Sequence, residues 1–175
     1  MPEPLSTDPI AEARRQWEDH GWHEAAGGMA AVTAIMRTQQ ILLSRIEAVL
    51  KHFGLTFARY ELLTLLSFTR SGALPMAKAS ARLQVHPTSV TNAVDRLEVA
   101  GLVRRVSHPT DGRTTLVEIT ATGRQTVLSA TTELNTAVFT DSGFSPSELD
   151  ELNATLGRYR KDAGDFIDHE ARNDH

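Results

Sequence analysis

Apolar residues recur at alternating spacings of three and four along residues 29–53 of this 175-residue chain: Met29, Val32, Met36, Leu43, Ile46, Leu50 and Phe53, with the polar Gln39 keeping the register. A stripe of that period needs a helix with another helix against it. Ile35, Leu42 and Val49 widen it beyond what one neighbour would cover. The far end repeats the pattern. The stretch SPSE at residues 145–148 is a capping box with proline at the first helical position, and Leu149, Leu152, Leu156, Tyr159, Ala163 and Phe166 follow at the same spacings. Two striped helices at opposite ends of a short chain suggest packing between subunits; packing on each other within one subunit is the alternative.

Apolar residues make up 41% of the chain, enough for a packed core, and there is no cysteine. Disulfides and thiolate metal sites are therefore excluded, and a reducing compartment fits. The start, MPEPLSTDPIAE, carries neither a basic segment nor an apolar run, and no apolar stretch approaches the roughly 20 residues that span a bilayer. A cytoplasmic protein with no membrane partner is expected. The net charge of −4 hides an uneven distribution, because basic residues outnumber acidic ones from Gly27 to Arg124 while both ends are acidic. A basic centre suits a phosphate backbone.

That centre carries the most specific pattern. A first helix is expected from Asp8 and Pro9 to Gly21, a second over the stripe from Met29, and a third from a Thr56 cap through FARYELLTLLSF. Pro75 then opens a short helix with Met76, Ala79 and Leu83 on one face. QVH is a tight connection, and Pro87 opens another helix whose buried face is Val90, Val94 and Leu97, with Ala93 beside them, until Gly101 stops it. Two helices joined by a short turn make a helix-turn-helix unit. Opposite the buried face, Ser89, Asn92 and Arg96 form one stripe flanked by Thr88 and Thr91. Small hydroxyls let a helix approach a major groove, Asn can pair with adenine, and Arg can reach guanine or phosphate. A solvated face would look similar. Lys78, on the first helix of the pair, is a further candidate DNA contact.

Residues 103–120, VRRVSHPTDGRTTLVEIT, break the helical pattern with two short strands around a PTDG turn. Thr115, Val117 and Ile119 alternate with Thr114, Leu116 and Glu118. A hairpin beside a recognition helix can reach the adjoining minor groove, whose negative potential attracts an arginine such as Arg113 at its tip. Asp111 would brace that guanidinium or hold the turn.

Residues 55–124 resemble the winged-helix domain of the MarR family of bacterial transcription regulators, through VHPTSVTNAVDRLEVAGLVRR, the wing DGR at 111–113 and ITATGR at 119–124. The resemblance implies a mainly α fold with one small β-hairpin. Residues 1–54 would hold an extra N-terminal helix and a long dimerisation helix, residues 55–124 the DNA-binding domain, and residues 125–175 further dimerisation helices. It also implies a homodimer that binds palindromic double-stranded DNA, represses nearby genes and is released by a small anionic or aromatic ligand. Ser89, Thr91, Asn92 and Arg96 map to the recognition helix, and Arg113 to the minor-groove arginine.

The additional N-terminal helix is similar to that of the urate-responsive, PecS-like branch, where a tryptophan, an acid and arginines line a pocket. Trp22 (or Trp17), Glu61 and Arg105 match by position. That branch usually has Asp where Glu61 stands and Arg where Ala93 stands, which favours another anion over urate. Arg37 and Gln39 on the long helix and Arg59 on the next could turn into a pocket and pair with a carboxylate, or remain on the surface. His20 and His23 lack a third ligand at matching spacing, so no metal and no cofactor are expected. No phosphate-binding loop, dinucleotide motif, nucleophile elbow or zinc-hydrolase helix is present, which argues against an enzyme. The competing class is a winged-helix module for protein interaction or small-molecule carriage.

Overall fold

The computed structural model describes residues 5–111 and 113–167. The order is α1 (Pro9–Asp19), α2 (His23–Leu50), α3 (Phe57–Ser67), β1 (Ala73–Pro75), α4 (Met76–Leu83), α5 (Pro87–Val99), β2 (Val103–Ser107), β3 (Thr115–Ile119), α6 (Ala121–Leu134) and α7 (Pro146–Asp162). A short 3-10 turn, Lys51–Phe53, follows α2, and a π turn, Asn135–Phe139, follows α6.

Local signals place most helix starts. Asp8 accepts from the Ile10 N–H ahead of Pro9, and Ser145 and Glu148 form the expected reciprocal capping box ahead of α7. Two expectations need correction. α2 begins at His23, not near Met29, and runs straight through Gly27 and Gly28. Each glycine costs about 1 kcal/mol against alanine, too little to break a helix supported on both sides. That support comes from α1, which packs along α2, and from Ala26, which is fully buried. Thr56 does stand at the N-cap of α3, but its hydroxyl makes no cap hydrogen bond and instead accepts from Arg59 Nε at 3.1 Å.

The hairpin is also part of a larger sheet than expected. β3 pairs antiparallel with β2 (Val103 opposite Ile119, Ser107 opposite Thr115) and with β1 on its other edge (Ala73 opposite Glu118), giving the order β1-β3-β2. Val117 and Ile119 are buried while Thr115 at the outer end is exposed, so the alternation puts the root of the wing in the core and leaves its tip in solvent.

One apolar cluster joins these elements. It runs from Ile46 and Leu50 of α2 through Leu62, Leu63 and Leu66 of α3, Val90, Val94 and Leu97 of α5, and the sheet, to Val127, Ala130 and Leu134 of α6. Each fully buried leucine contributes roughly 1.5–3 kcal/mol relative to exposure. At Gly123, in the first turn of α6, an added Cβ would lie 2.1 Å from the Leu102 carbonyl oxygen, so only glycine allows the helix to sit this close to the strand. Arg45 ties α2 to the π turn, donating to the carbonyls of Ala137 (3.3 Å) and Asp141 (2.9 Å). The α2 stripe divides: Ile46 and Leu50 enter the core, while Val32, Ile35 and Met36 remain more than half exposed. α7 contributes no buried residue.

Candidate nucleic-acid interface

α5 is fixed from below and open above. Its apolar face is sunk in the core, and the opposite face presents Thr88, Ser89, Thr91, Asn92 and Arg96, all exposed. The turn leading into it is tightly specified. Gln84 adopts a left-handed conformation (φ 53°), and the largely buried Ser80 donates its hydroxyl proton to the Val85 carbonyl at 2.6 Å. His86 Nδ1 then accepts from the Thr88 N–H at 3.2 Å, and Pro87 occupies the first helical position. Thr91 donates back to the Pro87 carbonyl at 3.1 Å, which ties its side chain to the helix backbone. Lys78 is exposed on α4.

The wing is held rigidly at both ends. At its root Arg104 makes a two-pronged bond to Glu118 across β2 and β3, at 3.0 and 3.1 Å. At its tip Asp111 Oδ1 accepts from the Arg113 backbone N–H at 3.1 Å and Oδ2 from the Thr114 hydroxyl at 2.7 Å. The Thr114 hydroxyl, then the Arg113 N–H, hold the Asp111 carboxyl below its ordinary range. Of its two anticipated roles, Asp111 therefore takes that of holding the turn. The guanidinium of Arg113 is exposed and has no partner among the described residues. Gly112, expected to supply positive φ in the turn, lies outside the described residues.

Arg105 supplies a connection that spacing alone did not reveal. Its guanidinium donates to Asp95 at 2.5 Å and to Glu98, and its backbone N–H donates to Glu98 at 2.9 Å. The bond to Asp95, then those to Glu98, raise the arginine above its ordinary range; the backbone N–H of Arg105, then its guanidinium, lower Glu98. The effect is to lock the wing strand β2 against α5. Asp95, Arg105 and Glu98 were visible as charges, but only the fold makes them one cluster.

The residues expected to bind a ligand are spread over several elements. Trp22 caps α2 and packs edge-on to Trp17, with ring centroids 5.2 Å apart. Arg37 is exposed on α2 near Gln40. Glu61 lines a cavity of about 40 Å³ between α3 and α5, where burial raises its carboxyl above the ordinary value. Arg59 lines an open groove of about 420 Å³ together with Ser89, Asn92 and Arg96. A separate apolar cavity of about 450 Å³ lies between α2, the start of α3 and α7, lined by Ile35, Leu42, Leu43, Phe57, Phe144 and Leu156, with Thr38 and Gln39 as its polar groups. None of Trp22, Arg37, Arg59, Glu61 and Arg105 lines it. Among the described residues no group of three or more His, Cys, Asp or Glu could hold a metal ion.

Residues 53–114 match a family model described as MarR family. The structure superposes on Sco5413, a MarR family transcriptional regulator from Streptomyces coelicolor, with 51% identity, a TM-score of 0.73, and coverage of 81% of this chain and 99% of that one. It also superposes on Sco3205, a MarR family regulator from the same organism solved in complex with DNA, with 21% identity, a TM-score of 0.66, and coverage of 80% and 91%; this likeness concerns the fold. The HTH-type transcriptional regulator YhbI of Bacillus subtilis is 31% identical over 97 residues, which are 55% of this chain and 60% of YhbI.

Proposed function

Because this chain belongs to the MarR family of transcriptional regulators, we propose that it works as a homodimer, represses from a palindromic operator and is released by a small ligand. The observation that carries this reading is the pairing of an exposed, polar recognition face on α5 with a braced wing whose Arg113 is left unpaired. α5 would read base edges in the major groove and Arg113 the adjoining minor groove. The central segment would then read DNA while the terminal helices assemble the dimer, in a cytoplasmic setting. No helix among the described residues is long and apolar enough to cross a membrane.

A second copy is supported by the apolar surface left uncovered: Val32, Ile35 and Met36 on α2 and Tyr159 on α7. For the effector, the 450 Å³ cavity favours the aromatic side of the expectation over the anionic side, because its lining carries no charge. A ligand seated between α2 and α7 would shift the spacing of the two recognition helices, which must match half-sites about one helical turn apart.

Fluorescence anisotropy on DNA from just upstream of the protein's own gene, against scrambled DNA and at several salt concentrations, tests the reading. Salt-dependent preference for the upstream DNA, reversed by one of a panel of aromatic compounds and organic acids, is the expected result. Equal, weak binding to both DNAs would replace this reading with that of an interaction module.

A further inference from the structure

Arg59 does not lie on the α5 face, yet the fold delivers it there. It stands in the first turn of α3, and the 420 Å³ groove between that turn and α5 is walled by Thr56, Ala58 and Arg59 on one side and by Ser89, Asn92 and Arg96 on the other. Two arginines and three neutral polar side chains line it, and no acid does. The Arg59 guanidinium is half-buried and anchored from behind: Nε donates to Thr56 Oγ1 and Nη1 to the Gly54 carbonyl, each at 3.1 Å. A guanidinium has five N–H donors, so those that remain are pre-aimed at little further entropic cost. Arg96 on the facing wall has no partner among the described residues. The Thr56 hydroxyl is occupied by Arg59 and does not cap the first turn of α3, so those backbone N–H groups add to the same positive field.

Such a groove suits a compact oxyanion, and a phosphate has the required geometry. The phosphate can come from a DNA backbone or from a free ion. The groove shares Ser89, Asn92 and Arg96 with the helix face offered to the duplex and is widely open, which favours the backbone. A strand flanking the major groove carries phosphates along that edge.

Resting on the DNA-binding reading above, we propose that Arg59 and Arg96 clamp one backbone phosphate at the edge of each half-site. Arg59 sets register and affinity without reading sequence, while Asn92 on the same groove wall reads bases. The site brings the start of α3 into the interface, which widens the footprint beyond α5 and the wing.

The test compares the full-length protein with Arg59→Ala, Arg59→Lys, Arg96→Ala and the double alanine variant by anisotropy on upstream and scrambled DNA over a salt series. Arg59→Ala should weaken binding on the order of tenfold on both DNAs, and should reduce the salt slope by about one per half-site. Arg59→Lys should keep the slope while losing part of the affinity, because the charge stays and the fork is gone. The double variant should lose less than the product of the single losses, because the two arginines share one phosphate. Ethylation interference should mark one phosphate per half-site, and Arg59→Ala should erase that mark. Thermal melts matching wild type exclude a folding defect. An unchanged salt slope and footprint in Arg59→Ala, with wild type still preferring upstream DNA, would overturn the clamp and leave the DNA-binding reading intact. Failure of wild type to prefer upstream DNA would remove both. Calorimetric binding of inorganic phosphate that Arg59→Ala abolishes, with the DNA salt slope unchanged, would also overturn the clamp and assign the groove to a free anion.

Discussion

α5 and α7 are both amphipathic helices opened by a proline, and they meet opposite fates. α5 sinks Val90, Val94 and Leu97 almost completely into its own protomer, whereas α7, four residues longer, buries nothing. The difference lies in what each apolar face meets. α5 is flanked by α3, α4 and β2, which surround it within one chain. α7 reaches α2 only along the edge of an open cavity, and α2 itself leaves Val32, Ile35 and Met36 in solvent. Under the proposed function, α5 presents its polar face to DNA from a rigid seat inside the protomer, and α7 keeps its apolar face available for a second copy.

The sharpest way to break this comparison is to remove a buried side chain from α5. Leu97→Ala should destabilise the protomer by about 2–5 kcal/mol, read from urea denaturation, because the surrounding core relaxes only partly around the cavity. A loss under about 1 kcal/mol would mean that α5 is not seated as described. The matching change on α7, Tyr159→Glu at a position 72% exposed, should leave the protomer folded but cost association on the order of 3 kcal/mol by placing a charge in the dimer contact. Sedimentation equilibrium should show a shift toward monomer; an unchanged dimer would place the interface elsewhere.

At the wing, Arg113→Ala should weaken DNA binding by roughly 1–3 kcal/mol with no change in dimerisation or in melting temperature. Wild-type affinity would mean that the wing stays off the duplex. The smallest effect concerns Glu61, whose carboxyl is raised by burial above the ordinary value of about 4.5. Between that value and the raised one, the folded state holds a proton that the unfolded state has lost, so stability falls as pH climbs through this window. Glu61→Gln should therefore be slightly more stable than wild type at neutral pH and indistinguishable below pH 4, measured by melting across pH. Equal curves at every pH would show that the carboxyl is solvated.

Much of the fold was readable because its signals are local. Asp8, Ser145 with Glu148, and the prolines at positions 9, 87 and 146 set helix starts within one turn of themselves, and the structure uses each of them there. The alternation likewise put Val117 and Ile119 on one face of the wing, the face that the structure buries. The failures were mostly non-local, the exception being Thr56, whose hydroxyl accepts from Arg59 three residues on instead of capping α3. β1 is three residues long and exists because β3 offers it an edge, so nothing within Ala73–Pro75 announces it. The start of α2 was hidden by two glycines that packing against α1 overrides. The candidate site divides the same way: Ser89, Thr91, Asn92 and Arg96 share a face by helical period alone, whereas Arg59 joins them only across the groove between α3 and α5.

The sequence by itself thus determined where most helices begin, which face of α5 is polar, and that the wing ends in an arginine behind an aspartate. Each of these depends on neighbours within a few residues, where backbone geometry dictates the outcome. Only the tertiary structure decided that Arg105 would be bound to Asp95 and Glu98, that Arg59 would face Arg96, and that Val32, Ile35 and Met36 of the α2 stripe would stay uncovered. Those outcomes depend on which distant surfaces meet, and spacing along a single chain carries no record of that.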